Sequence, residues 1–176
     1  MKKFISVLTV LLCTCLSANA NNLSFIDGEY SLKDIKKEKP NYTNIYIRPP
    51  QTLDNWIGML KVQYLPKEES DFDFINNYLN QIAQNPQVRI LSFYPEISIF
   101  SYGVMFKNGE EGYIEYNVLK CQRDKRAGIE VLQYIHKYKF KDEESLIKAA
   151  ENCYKYNMQY VNALVKTDIP EIKKKK

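Results

Sequence analysis

The chain is short of the residues on which most catalytic and metal chemistry is built. Its 176 residues hold one histidine, one tryptophan, six glycines and four cysteines. A lone imidazole, His136, cannot make a histidine-rich metal site. No G-x-S-x-G sequence supplies the nucleophile of a serine triad. The few glycines form neither a P-loop nor a G-x-G-x-x-G dinucleotide fingerprint, and no acidic stretch has EF-hand spacing. There is no C-x-x-C pair, which removes thioredoxin-like exchange. Beyond the first residues no apolar run reaches about 18 residues, so no transmembrane helix is expected. No cofactor is expected either.

An excess of one charge is also missing. The formal net charge is +4, but Lys2 and Lys3 lie at one end and Lys173, Lys174, Lys175 and Lys176 at the other. The body between them is slightly acidic, so no folded basic face is expected and no nucleic-acid partner. The lysine tail, residues 171–176, reads as a solubility tail. At most it makes a weak contact with anionic membrane, since each lysine near such a surface is worth about 1 kcal/mol.

What is present begins with a leader. Met1-Lys2-Lys3 precedes an apolar run from Phe4 to Leu16, and Ala18-Asn19-Ala20 closes it. A basic start, a short apolar run and an A-x-A ending make a cleavable secretory signal over residues 1–20. The expected location is the periplasm or the extracellular space after cleavage near Ala20. Cys13 and Cys15 then leave with the leader. A lipoprotein reading would put the anchor on Cys15, but Thr14 is a poor residue to precede it. A metal site on these two cysteines has no second ligand pair nearby.

Cleavage leaves Cys121 and Cys153. An even count in an exported chain favours one disulfide between them. Closing a loop of about 32 residues would add about 3–4 kcal/mol of stability in the chain-entropy view. Two buried free thiols are the alternative.

Residues 21–40 read as a loosely structured lead-in, and residues 41–170 as one domain. Thr43, Ile45 and Ile47 alternate with Tyr42, Asn44 and Tyr46 to make a strand that stops at Pro49-Pro50. Trp56, Gly58, Leu60, Val62 and Tyr64 share one face of a second strand. Ser70 opens a helix as its cap, with Phe72, Ile75, Tyr78, Leu79 and Ile82 on one stripe. From Val88 to Phe140 four strands follow, broken by Pro95, by the Asn108-Gly109 hairpin signal and by a polar turn. A long helix spans about Asp142 to Lys166. Its inward stripe is Leu146, Ala150, Cys153, Asn157, Val161 and Leu164. The order β-β-α-β-β-β-β-α defines the expected fold class, an α+β domain in which an antiparallel meander is flanked by two helices.

The stretch LDNWIGMLKVQYLP, the helix, the meander and IHKYKF before a long helix ending LVKTDIP resemble small exported bacterial proteins of uncharacterised function. The element order is also similar to the Mog1/PsbP-like fold. The resemblance implies a fold and an exported location, and it carries no functional residues across.

His136 shares a strand face with Leu132, Tyr134 and Tyr138. It reads as a residue packed among tyrosines, or as one ligand of a zinc site with Cys121, Cys153 and a carboxylate. Asp71 and Asp73 read as first-turn charges of a helix, and Glu110, Glu111 and Glu115 as hairpin charges. Either set could instead belong to a carboxylate pair. Tyrosine is plentiful, with 14 copies. Tyr134, His136, Tyr138 and Tyr156 form the candidate aromatic binding surface, because tyrosine is enriched at interfaces. The expected function is an exported, non-enzymatic binding or accessory protein whose partner is a protein or an envelope component. A small exported hydrolase and a secreted host-directed factor are the alternatives.

Overall fold

Alternation of apolar residues at a period of two builds one large sheet. The computed structural model describes residues 21–68, 70–125 and 127–174. The leader with Cys13, Cys15 and Ala20 lies outside the described residues, as do Lys175 and Lys176. The strands are β1 (Asn22–Phe25), β2 (Gly28–Glu38), β3 (Asn41–Ile47), β4 (Gly58–Leu65), β5 (Val88–Tyr94), β6 (Ile99–Asn108), β7 (Glu111–Arg123) and β8 (Ile129–Phe140). The helices are α1 (Asp71–Ala83), between β4 and β5, and α2 (Glu143–Lys166), after β8. All eight strands join one sheet in the order β1-β2-β3-β4-β8-β7-β6-β5. Every neighbouring pair is antiparallel. Two meanders therefore meet where β4 pairs with β8. The expected α+β class holds.

The expected lead-in over residues 21–40 is instead a hairpin, β1 and β2. Its alternation is hidden by a bulge. Tyr30 and Leu32 point to one face, the pairing shifts between Leu32 and Asp34, and Ile35 then returns to that face. One extra residue breaks the period on which a strand is recognised.

Each helix covers one face of the sheet. Against α2 lie Tyr46, Leu60, Val62, Ile114, Tyr116, Val118, Leu132 and Tyr134, with Phe25 and Tyr30 from the first hairpin. Against α1 lie Phe100, Tyr102, Leu119, Cys121, Ile129 and Val131, closed by Ile75 and Leu79. A third cluster, Ile45, Ile47, Met59 and Ile135, is packed by Trp56.

The helix ends follow their capping residues. The Ser70 hydroxyl accepts from the Asp73 amide at 3.2 Å. At α2 the Asp142 carboxylate accepts from the Ser145 amide at 2.8 Å, and the Asp142 amide donates back to the Ser145 hydroxyl at 3.1 Å. That reciprocal pair satisfies amides the helix cannot. At the far end Lys120 Nζ donates to the Thr167 carbonyl at 2.9 Å. A cation there suits the negative end of the helix.

Cys121 and Cys153 do not form the expected disulfide. Both are free and buried. Cys121 packs in the α1 cluster and Cys153 in the α2 cluster, so the sheet itself stands between them. Spacing along the chain could not reveal this, because the face a strand residue takes depends on register.

Candidate functional site

Two places concentrate chemistry on the α2 side of the sheet. The first is a chain of polar groups at the β1–β2 turn. Asp27 sits in that turn and points back over the sheet. The Tyr30 hydroxyl donates to its carboxylate at 2.8 Å, and the Tyr134 hydroxyl donates to it at 3.0 Å. Tyr134 also lies 3.0 Å from His136 Nδ1. Its single proton is spent on the carboxylate, so His136 holds its proton on Nδ1 and donates to Tyr134. Arg48 closes the chain by donating to the Asp27 carbonyl at 2.6 Å. Its guanidinium also stands 3.8 Å from the carboxylate.

The surroundings fix the protonation states. Burial raises both Tyr30 and Tyr134 far above the ordinary phenol range, and the nearby Asp27 charge adds to it. Burial lowers the His136 pKa, which Asp27 partly opposes and Arg48 reinforces. Gly58 pairs with His136 across the β4–β8 ladder. A side chain at this position would meet the Tyr30 hydroxyl at 2.5 Å, so the close approach requires glycine. The hydroxyls and carboxylate face one another. Such a chain holds the first hairpin onto the sheet.

The second place is an apolar groove between the first half of α2 and strands β5, β6 and β7. It encloses about 210 Å³ and is lined by Leu91, Met105, Ile114, Leu146, Ala150, Cys153 and Tyr154, with Pro86, Gln87, Arg89 and Gly103. Small residues make the space: Gly103 has no side chain and Ala150 has one carbon. Leu91 enters it from the β5 bulge, where pairing shifts between Ile90 and Ser92. Burial raises the Cys153 thiol to about 12, so it stays a neutral, weakly reactive lining group.

The groove adjoins an open sheet edge. β5 ends the strand order and has no outer partner among the described residues. Ile90 and Phe93 are exposed on its α1 side, and Tyr154 and Met158 are exposed on α2. Arg89 is the only charged residue of the strand. Its guanidinium donates to the carbonyls of Pro86 and Val88, at 3.0 and 2.8 Å.

The expected aromatic binding surface takes a different form. Tyr134 is fully buried. His136 and Tyr138 meet as tilted rings with centroids 4.5 Å apart, in a half-buried row. Tyr160 of α2 completes the cluster, 4.8 Å from Tyr134 and 6.3 Å from His136. Tyr156 packs at the edge of the same core. The helix covers this face, so these rings are packing more than surface. Tyr160, Asp27, Tyr30 and Arg48 belong to the arrangement and were not legible. Tyr160 sits one position off the helix stripe read from the sequence, and the other three come from or beside a bulged hairpin.

The carboxylates are spread out. Asp71 and Asp73 are in the first turn of α1, where the Ser98 hydroxyl donates to Asp71 at 2.7 Å. Glu110 and Glu111 are at the β6–β7 turn, and Glu115 is on the opposite sheet face from α2, across from Lys137. Among the described residues no three His, Cys, Asp or Glu side chains gather as a metal site. No described helix is long and apolar enough to cross a membrane.

These features define a class: an α+β protein with one eight-stranded antiparallel sheet, a polar clamp over its first hairpin and an apolar groove at its far edge. The chain belongs to an uncharacterised protein family, whose model matches residues 18–169. No curated protein and no solved structure matches it. The likeness in element order to the Mog1/PsbP-like fold gains no support from these comparisons.

Proposed function

We propose that this is an exported, non-catalytic binding protein that takes up an extended apolar segment of a partner protein. The observation that carries the reading is the unpaired β5 edge lying beside the apolar groove. A strand added to that edge would gain main-chain hydrogen bonds, and its alternate side chains would enter the groove. A space of about 210 Å³ suits one or two apolar side chains rather than a drug-sized molecule. Natural edge strands carry charges, prolines or bulges to limit pairing. β5 carries one arginine and the bulge between Ile90 and Ser92, so the added strand would pair on either side of that bulge rather than across it. Export rests on the leader sequence, and the partner on the apolar character of the edge.

The experiment is selection of displayed extended peptides on the folded chain. We expect enrichment of peptides with apolar residues at alternate positions. Binding should fall at least tenfold in Ala150→Trp, which fills the groove, and severalfold in Tyr154→Ala at its exposed rim. No enrichment, or binding indifferent to both variants, would overturn the reading. Cleavage of the bound peptides would favour the hydrolase alternative instead.

A further inference from the structure

The C-terminal tail does not leave the fold freely. Ile172 is buried, and the buried Asn44 side chain grips the next residue on both sides. Its amide donates to the Lys173 carbonyl at 2.9 Å, and its oxygen accepts from the Lys173 amide at 2.6 Å. Lys173 Nζ also donates to Asn21 Oδ1. The following residue, Lys174, is thereby delivered to a particular place. Its ammonium lies 5.3 Å from the Tyr42 ring and 6.0 Å from the Tyr64 ring.

Those two rings stack at 6.4 Å and form the floor of a basic concavity. Lys37 and Lys39 from the β2–β3 hairpin and Lys67 after β4 line it, and no carboxylate does. Glu38, Glu68 and Glu171 are the nearest acids along the chain, and Glu130 lies across from Tyr64 in the β4–β8 ladder, where its carboxylate accepts from Gln122 at 3.1 Å. Lysines from three distant segments thus converge at one end of the strands in a chain whose body is slightly acidic. Lysine ammoniums already stand against these rings. Lys37 lies 5.7 Å over Tyr42 beside Lys174, and the Tyr64 hydroxyl is held by the Ala127 carbonyl at 3.0 Å. Lysine ammoniums around half-buried tyrosines match the interfacial zone of a bilayer, where tyrosine sits at headgroup level and lysine meets phosphate.

We propose that Lys37, Lys39, Lys67 and Lys174, set around Tyr42 and Tyr64, form a folded docking face for an anionic phospholipid surface. The face is separate from the groove, and it depends on the pinned tail rather than on a loose run of lysines.

Flotation of the full chain with phosphatidylcholine vesicles, with and without phosphatidylserine, reads it. The expected result is a phosphatidylserine-dependent increment of binding that disappears in high salt. Each of Lys37→Gln, Lys67→Gln and Lys174→Gln should reduce that increment about fivefold, while Lys148→Gln on exposed α2 should not. An equal response to both vesicles, or an increment that survives the Lys37→Gln/Lys67→Gln double variant, would overturn the proposal. So would an increment lost equally in Lys148→Gln. Displacement of the vesicles by a single-stranded oligonucleotide that depends on the same lysines would replace lipid with nucleic acid as the partner.

Discussion

His136 is the only histidine, so it gives the molecule an acid sensitivity that can be traced to one side chain. Its folded-state pKa is lowered, first by burial. In the unfolded chain it titrates near the ordinary value of about 6.5. Above that pH both states carry a neutral ring and the residue adds no pH dependence. As the pH falls below about 6.5 the unfolded chain binds the proton first, and stability drops until the folded ring also titrates. His136→Asn keeps an N–H near the Nδ1 position but removes the titration. We expect it to cost about 1 kcal/mol at pH 7.5 through lost packing on Tyr138 and Tyr160. Its urea midpoint should then vary less than the wild type's between pH 7 and 5.5. Parallel curves for the two proteins would show that the ring is not held neutral by the fold. The same residue shows how far a single position can be read. Its place in a tyrosine-lined strand was legible from the even spacing of Leu132, Tyr134 and Tyr138. Its proton was not, because Asp27 reaches it through Tyr134 from a turn over a hundred residues away in the chain.

Among the elements, α2 and the second meander were the most legible, and for one reason. Long strands with clean alternation and a helix with an apolar stripe state their buried faces outright. The first hairpin was not legible, because its bulge and its lysines mask a buried Tyr30 and half-buried Leu32 and Ile35. The groove was not legible because it is a lack of side chains, at Gly103 and Ala150, between elements far apart in the chain. The α2 stripe also carries a polar residue whose purpose appears only in three dimensions. Asn157 is buried, and its oxygen accepts from the Ser101 hydroxyl at 2.6 Å and from the Tyr116 hydroxyl at 2.9 Å. Ser101 in turn meets the Ser92 hydroxyl at 2.7 Å on the edge strand. The asparagine thus ties the helix to β5, β6 and β7. Asn157→Ala takes the partner from the buried Tyr116 hydroxyl and leaves Ser101 with Ser92 alone, and should cost about 1–3 kcal/mol, measured by chemical denaturation. Adding Tyr116→Phe to that variant should recover part of the loss, because the stranded hydroxyl goes with it. An additive double variant would show that the hydroxyl does not depend on Asn157.

At the scale of the whole molecule, the apolar groove and the basic concavity lie toward opposite ends of the strands. The register sets this: Met105 pairs with Ile114 near the β6–β7 turn, whereas Tyr64 pairs with Glu130 near the start of β8. A molecule resting on an anionic surface by Tyr42 and Tyr64 would hold its groove away from that surface, free to meet a partner. Both places lie on the α2 face, whereas the thiols lie on opposite faces of the sheet. Cys121 faces α1, Cys153 faces the groove, and burial raises both above the ordinary thiol range. No structural bridge therefore clamps the fold, even though the proposed compartment is oxidising. Intact-mass measurement of the protein from fractionated native cells tests location and thiols together. For an exported protein the mass should begin at Asn21. Without denaturant, alkylation should be slow whether or not reductant is present; in denaturant two labels should add without any reduction step. Reductant should accordingly leave the thermal midpoint unchanged. A species that takes up label only after reduction would mean that Cys121 and Cys153 are bonded. Bonding within one chain would require a different strand register. Bonding between chains would require an opening of both cores, and only in that case would the reduced and oxidised proteins also differ in oligomeric state.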